Sequence, residues 1–209
     1  SLWSFMKLKT YKRINECRKL WDSLSPNKRL FDVWDFRQCF YNRQDNSPHF
    51  IACRENGRIL GLMPLYYVKS KSQYTYFGGW FPERNSFFLK DKVVLSRLLE
   101  HCPDNTVVEG ISPDEKEYYS FMEDEDTFFL NLSKYGNNFD IYFDSLDKKK
   151  RKNFRRDLKN IPKYSVHKNR IRDFNRMVEL NVNQFGEDSI YNNKNIKNGI
   201  STLINNAHR

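Results

Sequence analysis

Two long apolar runs meet at Asn56-Gly57, and this dipeptide constrains the chain more than any other feature. A two-residue turn between paired strands needs positive φ at both positions, which Asn and Gly supply at least cost. Runs 49–55 and 58–69 are therefore expected to form an antiparallel hairpin with its register set by the turn. Pro64 in the second run offers no N–H to a ladder, so a bulge or an edge is expected there. A sheet built on this hairpin places the chain in the mixed α/β (α+β) class, mostly antiparallel.

The elements around it follow from periodicity. A strand is expected over 4–9, then a helix capped by Thr10 through Ile14, Cys17, Leu20, Trp21 and Leu24, stopped at Ser25-Pro26-Asn27. A second helix over 29–43 carries Phe31, Trp34, Cys39 and Phe40. Next come a strand over 74–81 broken by Gly78-Gly79, extended chain at 86–89, and a helix from Asp91 to Cys102. A buried-type strand at 106–111, a short helix from Ser112 to Met122 and a strand at 127–132 complete this part. Gly136 and Asn137-Asn138 mark a boundary, dividing a domain at 1–135 from a helical 140–209. In the latter, Asp144 or Ser145 is expected to cap a helix that ends before Pro162. Residues 164–167 read as a strand, and 171–185 as an amphipathic helix through Phe174, Met177, Val178 and Val182.

Charge is distributed unevenly. Residues 1–147 hold 20 Lys+Arg and 21 Asp+Glu, whereas 148–163 hold nine Lys+Arg and one Asp. The net charge of +10 is thus mostly one segment, which argues for a local anion site rather than a general nucleic-acid coat. The 22 Asn and two Ala are what an AT-rich genome produces, so the aromatic excess carries no weight as a nucleic-acid signal. No stretch approaches a membrane-spanning run of about 18 apolar residues. No signal segment opens the chain, and four scattered cysteines do not make a disulfide scaffold. A cytoplasmic location is expected. The spacings among Cys17, Cys39, Cys53 and Cys102 match no zinc pattern, so no metal is expected.

Two segments carry candidate chemistry. In the basic helix, Phe154, Leu158 and Ile161 form a stripe expected to dock on the protein. Arg151, Arg155, Arg156, Lys148, Lys152 and Lys159 cover most of the remaining surface, where guanidinium forks suit phosphate. Such a helix either grips an anion or is a solvated face. At 78–85, paired glycines let backbone approach a ligand, Trp80 and Phe81 form an apolar wall, and Glu83, Arg84 and Asn85 are polar handles. The alternative is a bulge with a surface ion pair.

The order strand, two helices, long hairpin, strand, helix, strand, helix, strand resembles the GNAT acyltransferase fold. The segment Asp144-Ser-Leu-Asp-Lys-Lys-Lys-Arg-Lys-Asn-Phe-Arg-Arg-Asp-Leu-Lys-Asn-Ile161 is similar to the S-L-x-x-x-x-R-x-x-L/F-R-R helix of FemAB-like proteins, and most of all to the CelD-type acetyltransferases. The matching positions are Leu146, Arg151, Phe154, Arg155 and Arg156. Gly78-Gly79 and Glu83-Arg84-Asn85 are similar to that family's loop after the fourth strand. The resemblance implies two GNAT-like halves, with the basic helix opening the second. It implies acetyl-CoA or another acyl-CoA as donor, or an aminoacyl-tRNA, and a small-molecule or cell-envelope precursor amine as acceptor. Amine attack needs a base, and Glu109 in the apolar run Val107-Val108-Glu109-Gly110 is the candidate, its pKa expected to rise by desolvation. The family's [Q/R]-x-x-G-x-[G/A] pyrophosphate turn has only a partial match, Arg58-Ile-Leu-Gly61-Leu-Met63, inside a strand. The chain is therefore expected to be a fragment without transferase activity of its own. A non-catalytic module that binds RNA or another polyanion through the basic helix is the alternative.

Overall fold

The Asn56-Gly57 turn closes as its residues require: Asn56 has φ 49°, Gly57 has φ 78°, and Glu55 pairs with Arg58. This is the hairpin of β2 (Asn46–Glu55) and β3 (Arg58–Val68) in a computed structural model that describes residues 6–82, 84–111 and 130–207. β1 (Met6–Tyr11) runs antiparallel to β2, from Met6 opposite Glu55 to Tyr11 opposite Phe50. The far edge of β3 is shared. β4 (Gln73–Tyr76) pairs with 65–68, and β5 (Phe88–Leu89) with 61–62.

Pro64 falls in the gap between these two partners. Its carbonyl accepts from Phe77 N at 2.8 Å. N–H and C=O of one strand residue point the same way, so the missing donor takes nothing from the β2–β3 ladder. The bulge lies elsewhere than expected. Register slips between Cys53 and Arg54, leaving Leu60 extra, and its carbonyl accepts from Lys90 N at 2.7 Å.

Both faces of the hairpin are covered, so its middle is buried without alternation. One face carries Phe50, Ala52 and Leu62 under α1 (Ile14–Leu24). Trp21 from that helix lies among Phe50, Tyr76, Phe77, Phe88 and Trp34, and donates Nε1–H to Asp32 O at 2.8 Å. Trp34 opens α2 (Trp34–Gln38) and stacks on Phe77 at 4.8 Å. Each buried aromatic contributes about 1.5–3 kcal/mol. The other face carries Ile51, Cys53 and Met63 under α3 (Val94–Glu100). At Gly61 a Cβ would come within 2.8 Å of Val94 Cγ1 and 3.1 Å of Leu98 Cδ1, so glycine lets helix and sheet meet.

Several elements differ from expectation for local reasons. Thr10 lies within β1 and caps nothing. The helix expected over 29–43 is broken into a 3-10 turn, Leu30–Asp32, and α2, because Asp32 Oδ2 accepts from Lys28 N and Arg29 N and fixes a turn there. Residues 106–111 form no strand, only two parallel bridges, Tyr74 with Thr106 and Asn85 with Ile111. Residues 164–167 form no strand either, and Tyr164 and Val166 are exposed. The helix expected from Ser112 and most of the strand at 127–132 lie outside the described residues; Leu132–Tyr135 is a 3-10 turn.

The architecture is a mixed α+β one, with seven α-helices among the described residues and a mostly antiparallel open sheet. It divides into two compact units. One joins the described residues up to 111 with those from 171 onward; the other comprises 130–170. Residues 140–209 are thus shared between them. In the first unit α6 (Asp173–Phe185) precedes α7 (Lys194–Ala207). α7 packs at Gly199, where a Cβ would lie 2.7 Å from Phe40 Cε1. Among the described residues no helix is long and apolar enough to cross a membrane.

Candidate functional site

The second unit is built on a helix pair. Asn138 caps α4 (Phe139–Ser145) by accepting from Asp140 N and Ile141 N. Asp147 caps α5 (Lys148–Asn160), accepting from Lys150 N at 2.8 Å, and this bond holds its carboxyl below the ordinary value. Asp144 and Ser145, the expected caps, are taken up in the last turn of α4. Phe154 packs between Phe139 and Phe143, at ring distances of 6.0 and 5.8 Å. Leu158 and Ile161 remain 51% and 49% exposed, so only the first residue of the expected docking stripe is packed by rings.

The cations of α5 separate into two groups. Arg151 is half-buried and donates NH1–H to Asp144 O at 2.7 Å, closing the C-terminal turn of α4. Arg156 pairs with Asp157 at 3.1 Å and Lys150 with Asp147 at 3.5 Å. Lys148, Lys152, Arg155 and Lys159 have no carboxylate partner among the described residues, and Arg155 lies over the Phe143 ring at 5.1 Å. Their spacing of four, three and four residues keeps them on one face. That face extends over about 16 Å, roughly a third of a turn from Phe154, Leu158 and Ile161. Arg151, expected beside them, serves the helix pair instead. Arg151→Gln is expected to cost about 0.5–1.5 kcal/mol of local stability. Faster amide hydrogen exchange in α4 is the readout, and unchanged protection would show that the bond contributes nothing.

The 78–85 loop is held from inside. Arg37, 1% exposed, donates Nε–H to Phe31 O at 2.7 Å, NH1–H to Asn85 Oδ1 at 2.6 Å and Phe77 O at 3.3 Å, and NH2–H to Arg84 O at 2.7 Å. Its guanidinium also lies over Tyr76 at 4.9 Å. Burial pulls its pKa down, and neighbouring Tyr76 and Asp32 act against that. Gly78, at φ 92°, leaves room for it: a Cβ there would lie 2.8 Å from Arg37 Cδ. Asn85 is fully buried and donates Nδ2–H to Glu109 O at 2.6 Å, so both ends of its amide are occupied. Of the five residues expected to meet a ligand there, Asn85 thus braces the loop and Arg84 contributes its carbonyl to Arg37. Trp80 is 46% exposed beside Phe81, and Glu83 lies outside the described residues. Arg37 itself was hidden in sequence; a cation between Phe36 and Phe40, with paired glycines downstream, is its only signal.

No nucleophile or base takes shape elsewhere among the described residues. Glu109 is exposed on irregular chain, so the apolar strand expected to desolvate it is absent. Cys102 lines an open groove of about 520 Å³ with Met63, Phe87, Leu99 and Val108, its Sγ 2.9 Å from Met63 Sδ. Burial pushes its thiol up to about 11 and that of Cys17 to about 12, away from a thiolate at neutral pH. Alkylation of Cys102 by iodoacetamide is therefore expected to be slow at pH 8 and to quicken about tenfold per pH unit toward 11. A rate already level at pH 8 would contradict this. Among the described residues no three His, Cys, Asp or Glu side chains converge on a metal position. No protein-family model, curated protein or solved structure matches the chain.

Proposed function

We propose that this chain is a GNAT-like module of the FemAB/CelD type that holds a phosphate-bearing polyanion on the face of α5 formed by Lys148, Lys152, Arg155 and Lys159. One observation carries the reading: four cations share one helix face with no carboxylate partner among the described residues. Like charges at i, i+4 repel by a few tenths of a kcal/mol per pair, and an anion laid along the face relieves that repulsion. Titration with a tRNA mixture tests it. Binding by the parent chain that is lost in K148Q/K152Q/R155Q/K159Q supports the reading, and equal binding by both contradicts it.

Acyl transfer is the second reading. It is favoured by the parallel bridge of Tyr74 with Thr106, reached from β4 through α3, on a sheet whose element order resembles a GNAT half. The donor would be an acyl-CoA or an aminoacyl-tRNA and the acceptor an amine, and an aminoacyl-tRNA donor would unite both readings. Labelled acetyl-CoA offered with a panel of amines tests it directly: turnover above a heat-killed control supports transfer from CoA. Binding of tRNA without CoA binding or turnover leaves the module reading alone.

A further inference from the structure

We infer that the α4–α5 pair docks peripherally on an anionic lipid bilayer, its cations on lipid phosphates and its apolar edge in the headgroup boundary. This rests on the anion-binding reading of α5. The observation that goes further is what lies beside the cations. Phe139 on α4 is 54% exposed, and Leu158 on α5 and Ile161 at its C-cap are 51% and 49% exposed. Phe139 packs on Phe154, and Leu158 follows Phe154 one turn on, so exposed apolar surface continues from α4 onto α5 there, next to a segment of nine Lys+Arg and one Asp. A helix with an apolar stripe and cations along its flank lies in a membrane interface, the stripe inward and the long Lys and Arg stems reaching phosphates. Arg155 and Lys159 occupy that flank. A nucleic acid would satisfy the cations and leave Leu158 and Ile161 in water, so the bilayer accounts for more of the surface.

Co-sedimentation of the full chain with vesicles tests the inference. Phosphatidylcholine vesicles containing one third phosphatidylglycerol are expected to bind it, and phosphatidylcholine alone is not. Each cation near an anionic surface contributes about fivefold to partitioning. The variant K148Q/K152Q/R155Q/K159Q should therefore lose binding about a hundredfold or more. L158S/I161S should lose about tenfold or more on vesicles and nothing on tRNA. Far-UV circular dichroism of each variant confirms that the helices persist. Binding of tRNA with no binding of anionic vesicles overturns the membrane inference and leaves the anion face standing. Vesicle binding indifferent to L158S/I161S also overturns it. Failure of the parent chain on both ligands removes both proposals.

Discussion

Replacing Arg37 by Met is expected to destabilise the sheet-bearing unit by about 3–5 kcal/mol. Met fills part of the volume but donates nothing. Four acceptors on three segments lose their donor at once: the carbonyls of Phe31, Phe77 and Arg84 and the Asn85 amide oxygen. Each buried acceptor left unmet costs about 1–3 kcal/mol, and water entering from the Arg84 side recovers part of that. In a chain of this size the loss corresponds to a melting temperature lower by roughly 10 °C. Arg37→Lys should recover little, because one ammonium cannot reproduce a planar fork that reaches three segments. Urea unfolding followed by tryptophan fluorescence reads this directly, since Trp21 and Trp34 lie in the same cluster. A change below about 1 kcal/mol would mean that the network is incidental to stability.

Arg37 also marks the limit of what the sequence discloses. The β2–β3 hairpin was legible because its determinant is local: two adjacent residues must take positive φ, and only a few residue types do so cheaply. The place of Pro64 and the bulge at Leu60 were not, because they depend on where β4 stops and β5 begins along the far edge of β3. The helix expected from residue 29 starts only at Trp34, because Asp32 fixes a turn ahead of α2 through backbone bonds that no apolar periodicity records. The burial of Arg37 depends on acceptors 40 to 48 residues away in sequence, and the 78–85 loop is held mainly by that burial. The apolar strand expected around Glu109 does not form, because 106–111 meets the sheet only at two isolated bridges. The basic helix was legible in position and end, since charge density and Pro162 are plain in the chain. Its cap is Asp147 rather than Asp144 or Ser145, because the short helix α4, which follows directly after the boundary at 136–138, takes up both of those residues. The division of labour among its arginines was not legible, since Arg151 reaches a carbonyl on another helix.

The second large effect belongs to the face of α5. Removing Lys148, Lys152, Arg155 and Lys159 as charges is expected to weaken tRNA binding roughly 100-fold or more at 50 mM salt. All four are exposed and have no carboxylate partner among the described residues, so the melt should stay level or rise slightly as like-charge repulsion falls. The parent chain's affinity should drop steeply with salt, because each phosphate contact releases about 0.7–0.9 of a counterion. Affinity alone does not separate this face from diffuse attraction by a chain of net charge +10, which leaves +6 in the variant. The slope does. Plotted as the logarithm of affinity for a tRNA mixture against the logarithm of salt concentration, the variant's line should be shallower than the parent's by about 3. Two parallel lines of equal height would contradict an anion-binding face on α5.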